Sequence, residues 1–178
     1  MSGPTQINVM YDPAEDRLLL RMNASTPEGA AEYRLWLTRR FVQLMWQGLE
    51  KAMEADQAFD PAVQQSQQEA VRQFKEEAAL SSADFSTPYR NEEKTVTPLG
   101  ENPVLITKMQ IKRAEDGKKV LIMQGEEGPA VTLALAESML HSVRKLIADA
   151  AERAGWGLSL KLLSQVDVTP PAEPRMMN

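Results

Sequence analysis

Between residues 32 and 56 the apolar period of the chain changes with no loop in between. Glu32-Tyr33-Arg34-Leu35-Trp36-Leu37 alternates as a half-buried strand does, successive side chains falling on opposite faces. From Thr38 onward Phe41, Val42, Met45, Leu49, Ala52 and Met53 lie three and four apart, which draws one stripe down a helix. Thr38 stands where an N-cap belongs, its hydroxyl placed to accept an otherwise orphaned backbone N–H. A strand that runs straight into an amphipathic helix has to lay that helix across a sheet. An α+β layer is therefore expected.

The pattern returns 98 positions later. Residues 131–135 alternate again, and residues 136–154 are again helical in period, with Met139, Leu140, Val143, Ile147 and Ala150 standing where Phe41, Val42, Met45, Leu49 and Ala52 stood. Upstream, residues 17–22 and 119–123 are matching apolar runs, each preceded by a turn containing Ala-Glu-Asp and, before that, by a β-like run at 7–11 or 104–113. The simplest reading is a tandem repeat of strand, strand, strand, helix. Four segments follow: a first unit at 1–59, a polar helix and crossover at 60–101, a second unit at 102–166, and a mobile Pro-rich tail at 167–178. Asp60 and Pro61 suit a helix start, and residues 62–81 are rich in helix-forming Gln and Glu. The stripe of that helix is thin (Val63, Ala70, Val71, Phe74, Ala78), so it is expected to be a surface spacer resting by one apolar edge. Phe85 and Tyr89 in the following loop are expected to pin it to the core. Gly155 suits a left-handed C-cap, and alternating Leu158, Leu160 and Leu162 suggest a short last strand.

Composition narrows the chemistry. With no cysteine, disulfides, thiol catalysis and Cys-type zinc sites are excluded, and a reducing, cytoplasmic setting is expected. No apolar run approaches the roughly eighteen residues a membrane span needs, so no membrane association is expected. His141 is the only histidine, and its place at the edge of a helical stripe suits a structural or surface role. The acidic pairs Glu15-Asp16, Glu76-Glu77, Glu92-Glu93 and Glu126-Glu127 fall in turns or on the polar helix and read as solvated charge. No metal, cofactor or catalytic residue is expected.

Strand alternation also sorts the surface. If Leu18, Leu20, Met22, Tyr33, Leu35 and Leu37 pack under the helices, then Arg17, Leu19, Arg21, Arg34 and Trp36 face outward. In the second unit Thr107, Met109 and Ile111 would face inward, and Lys108, Gln110 and Lys112 outward. Five basic residues and a tryptophan would thus share one surface, the pattern a single-stranded nucleic acid binder uses. In element order, two strand-rich units each closed by a helix, the chain resembles the PUR and Whirly classes of single-strand binders. That resemblance implies nucleic acid binding on the sheet face. Against it stands a net charge of −5, concentrated in residues 60–101, which carry eight acidic and four basic groups. The expected function is a non-enzymatic binding or adaptor protein with a protein partner or a second copy of itself. It would act through Trp36, Arg34, Arg21, Arg17, Lys108 and Lys112, or through the cleft between the two repeat helices. Single-stranded nucleic acid binding on the same face is the alternative.

Overall fold

The computed structural model describes residues 4–27, 29–54, 65–90 and 96–162. Three antiparallel strands, β1 (Pro4–Asp12), β2 (Arg17–Thr26) and β3 (Gly29–Leu37), run into helix α1 (Arg39–Glu54). Helix α2 (Gln65–Ser82) follows, then a two-residue strand β4 (Val104–Leu105). A second antiparallel meander, β5 (Lys108–Arg113), β6 (Lys119–Gln124) and β7 (Val131–Leu135), ends in helix α3 (Glu137–Arg153). The described residues make one sheet in the order β1-β2-β3-β4 and another in the order β5-β6-β7, an α+β architecture that is mostly antiparallel.

Local chemistry fixes the joints. Thr38 Oγ1 accepts the Phe41 amide at 3.2 Å, so the expected N-cap of α1 is present. Asp12 Oδ1 accepts the amides of Ala14 and Glu15 at 2.9 and 3.1 Å and tightens the β1–β2 turn. α3 ends with Gly155 at φ 64°. Its amide reaches the Glu152 carbonyl at 2.8 Å while the Trp156 amide reaches that of Ala151 at 3.2 Å, the paired bonds of a Schellman cap. Trp156, just past the cap, is buried.

The inner faces of both sheets and both flanking helices share one core. Leu18, Leu20, Met22, Leu35 and Leu37 are buried on the first sheet, as alternation requires, and Leu121, Met123, Val131, Leu133 and Leu135 on the second. Where these faces meet α1 and α3 only an apolar gap of about 10 Å³ remains. The helices are exchanged between the units. α1 rests on β5, and α3 rests on β1. At Gly48 the two elements come close: a Cβ there would stand in ordinary van der Waals contact with Ile111 Cδ1 and Met109 Cε, each at 3.5 Å. The two units nevertheless differ in register: Leu37 pairs with Leu18, whereas Leu135, 98 positions on, pairs with Lys119 rather than Asp116.

Three expectations need correction. Residues 104–113 are not one strand of a hairpin. β4 pairs in parallel with β3, and β5 pairs with β6. The switch takes one peptide: the Ile106 amide donates to the Trp36 carbonyl and the Thr107 amide to the Gln124 carbonyl, both at 3.0 Å. Consecutive N–H groups of an extended chain point to opposite sides, so one residue feeds each sheet. Thr107, expected to face inward, is exposed at this switch. Residues 157–162 form no strand, although Leu162 is buried. Finally, α2 does not rest on its apolar edge. Phe74 is 72% exposed and Val71 43%, while Glu76 on the opposite face is fully buried. The expected helix start at Asp60-Pro61, Val63 and the Pro-rich tail lie outside the described residues.

Candidate interaction surface

Pairing across the four-stranded sheet sets its outward side chains in rows. Met10 faces Leu19, Leu19 faces Trp36, and Trp36 faces Leu105, an apolar row that crosses all four strands. Directly paired side chains lie about 5 Å apart, so the row is continuous. Met10 is 46% exposed and Leu105 36%, with Leu19 and Trp36 half-buried between them. On one side lie Asp12 and Arg17. On the other come Asn8, Arg21 and Arg34, then Gln6, Asn23 and Glu32.

The two sides of that row differ in what covers them. Arg21 places Nε and Nη2 at 2.8 and 2.6 Å from Glu32 Oε1, and Arg34 Nε lies 3.6 Å from Glu32 Oε2. Tyr89 closes the group from above. Its hydroxyl donates to Asn23 Oδ1 at 2.6 Å and lies 3.1 Å from Glu32 Oε1, while its ring sits 4.4 Å beneath the Arg21 guanidinium. Burial, and then the negative Glu32, push the Tyr89 phenol above its usual range. Asn23 Nδ2 donates to the Arg90 carbonyl and the Arg90 amide donates to Gln6 Oε1, both at 3.0 Å. Residues 89–90 are thereby tied over the polar end of the face. Tyr89 does pin its loop, but to the outer sheet face; Phe85 stays exposed.

Of the six expected site residues, Arg17, Arg21, Arg34 and Trp36 share this face. Lys108 and Lys112 do not: β5 belongs to the other sheet, where Lys108 lines a groove against α1. The basic character of the shared face is also weaker than residue types imply. Glu32 stands between two arginines, and Arg17 lies 3.3 Å from Glu15. Alternation already carried that signal, since Glu32 has the same parity as Arg34 and Trp36.

The second expected surface, between α1 and α3, is filled. Arg144 lies 4.5 Å over the Trp46 ring, with Nη1 3.2 Å from Glu76 Oε2 and Nη2 3.5 Å from Glu50 Oε1. Trp46 Nε1 donates to the same Glu50 oxygen at 2.9 Å. His141 is 2% exposed, its Nδ1 3.5 Å from Glu76 Oε2. Desolvation lowers the Arg144 pKa from the guanidinium range, opposed by Glu76 and Glu50. The expectation of solvated charge at Glu76 thus gives way to a buried ionic clamp joining α2, α3 and α1. Neither Glu76, His141 nor Arg144 lines the two larger clefts. Sequence periodicity had no means to find it, because Glu76 and Arg144 are 68 residues apart.

One cleft of about 460 Å³ runs along the free edge of β1, under the start of α3 and beside residues 82–89. A second, of about 680 Å³, lies between α1 and β5. Among the described residues no three His, Cys, Asp or Glu side chains gather as a metal site would need, and no helix is long and apolar enough to cross a membrane. Compared with known proteins, the chain matches no family model, no curated protein and no solved structure.

Proposed function

We propose that this chain is a non-enzymatic protein-binding module that receives its partner on the outer face of the four-stranded sheet. The observation that carries the reading is the apolar row Met10–Leu19–Trp36–Leu105, open to solvent at both ends and bordered by polar groups. An apolar centre holding a tryptophan inside a polar rim is how protein interfaces are built. A phosphate backbone would instead need cations free to follow it, and Arg21 and Arg34 stand against Glu32.

The test is site-specific photo-crosslinking in the cells that make the protein. A benzophenone side chain at Met10 or Leu105 is expected to trap one defined partner chain, one at Lys112 on the other sheet not to trap that partner, and Trp36→Ala to abolish the product. Trp36→Ala is first checked for a native circular dichroism spectrum. In parallel, a single-stranded oligonucleotide titration read by tryptophan fluorescence is expected to stay flat. Saturable, salt-sensitive quenching lost in Trp36→Ala and Arg34→Ala would overturn the reading in favour of nucleic acid binding.

A further inference from the structure

Two surfaces remain that the outer sheet face does not use, and they match. The first is a ridge. On α2, residues 70, 71, 74 and 78 fall within one arc of the helix at 100° per residue, opposite Glu76 and Ala79. All four are exposed, Phe74 at 72%. The second is the groove between α1 and β5, lined by Leu44, which is 57% exposed, with Gly48, Met109 and Ile111, and flanked by Lys51 and Lys108. Methionine and glycine on its walls let such a groove adapt to an incoming ring.

Charge follows the same division. Lys51 and Lys108 have no ion-pair partner among the described residues, and neither has Glu77, which borders the ridge. On the other flank Lys75 lies 3.7 Å from Glu137 of its own chain, which leaves Glu77 as the ridge's available charge. The ridge cannot serve its own groove. α2 is held by its opposite face, where Glu76 meets Arg144 of α3, and turning Phe74 inward would pull a fully buried carboxylate out of that clamp.

We propose that the α2 ridge of one copy seats in the α1–β5 groove of a second copy, Phe74 and Val71 against Leu44, Met109 and Ile111, with Glu77 beside Lys51 and Lys108. The mode is a helix laid in an apolar groove. A two-fold axis repeats the contact and closes the pair at two chains.

Sedimentation velocity over a concentration series tests this with the full chain. Wild type is expected to pass from monomer to dimer as concentration rises toward roughly 0.1 mM, an ordinary range for a modest interface. Phe74→Arg puts a cation against the lysines, and Leu44→Glu puts an anion against Glu77. Both positions are exposed, so circular dichroism should be unchanged while each variant stays monomeric. The two variants mixed in equal amounts are expected to dimerise again, because each supplies the half that the other lacks. A monomeric wild type, association that survives either variant (as ridge-on-ridge packing would give for Leu44→Glu), or a mixture that fails to recover the dimer overturns the proposal. Trp36→Ala is expected to leave the dimer intact; if it alone dissolves the dimer, the sheet face is the self-contact instead. Crosslinking to a partner through Met10 and Leu105 is read separately, so either proposal can fail without the other.

Discussion

Removing Arg144 tests the account of α2 most directly. Glu76 has no exposed surface, and the Arg144 side chain retains 3%. Arg144→Leu keeps most of the volume against Trp46 but takes the guanidinium from a fully buried carboxylate, leaving His141 Nδ1 at 3.5 Å from it. Breaking a buried pair from one side costs about 3–5 kcal/mol. Glu76→Leu should cost less, about 1–3 kcal/mol, because Arg144 keeps Glu50, whose side chain is 44% exposed, and the Trp46 ring. With Glu76→Leu and Arg144→Leu together no ion is stranded, and apolar replacement of a buried pair is commonly neutral or stabilising. The double variant should lie within about 1 kcal/mol of wild type, far above the sum of the singles.

Urea unfolding followed by tryptophan fluorescence measures all four proteins. With a slope near 2 kcal/mol/M, a loss of 4 kcal/mol lowers the midpoint by about 2 M. Hydrogen exchange localises it: amides of α2 should lose protection before those of β2 and β3, since α2 buries little apolar surface of its own. Additive losses, with the double variant as weak as the two singles combined, would refute the reasoning. Glu76 and Arg144 would then contribute independently, and α2 would owe its position to something else.

Three further outcomes are expected. At Gly125 a Cβ would meet Val104 Cγ1 at 2.9 Å and the Leu105 carbonyl oxygen at 3.0 Å, so Gly125→Ala must push apart the peptide that switches sheets and should cost about 1–3 kcal/mol in thermal or urea unfolding. Asp16 Oδ1 accepts from Trp156 Nε1 and from the Tyr11 hydroxyl, each at 3.0 Å, and these bonds, Trp156 first, hold its pKa below 3.8. A depressed folded-state pKa gives stability that is present above the unfolded value and lost as pH falls below it. Asp16→Asn, which tolerates the local φ of 49°, should therefore flatten the acid limb of the stability–pH curve below about pH 4 while leaving its shape near neutrality unchanged. Tyr89→Phe removes the hydroxyl on Asn23 and Glu32; it should cost about 1 kcal/mol and speed amide exchange at Arg90.

Most of the α+β skeleton was legible because its signals are local. Alternation at 32–37, the change of period at Thr38 and the glycine at 155 each depend on neighbouring side chains, and each gave the element or cap observed. The same alternation put Arg17, Leu19, Arg21, Arg34 and Trp36 on one face. What failed was set at long range. The run at 104–113 has a strand's sequence throughout, and its division is decided by the carbonyls of Trp36 and Gln124, which lie on different strands. The seat of α2 broke the rule that apolar faces turn inward because one carboxylate found Arg144 on a distant helix. Grouping Lys108 and Lys112 with Trp36 assumed that both units build one sheet, and alternation within a strand says nothing about which sheet the strand joins.

The exchange of helices then explains why the outer face of the first sheet has no helix packed on it among the described residues. Because α1 crosses to β5 and α3 to β1, both lie on the inner side of a sheet, α2 packs on α3, and no helix of the described residues covers the outer face of the first. Only residues 89–90 reach that face among the described residues, and they end at the arginine row, where polar partners exist to hold them. The apolar row offers a loop no hydrogen bonds, and none of the described loops is tied over it. This loop satisfies its backbone where the sheet presents Asn23 and Gln6. On the proposed reading, Trp36 would meet a surface that brings apolar side chains of its own, as a folded partner does and a phosphate backbone does not.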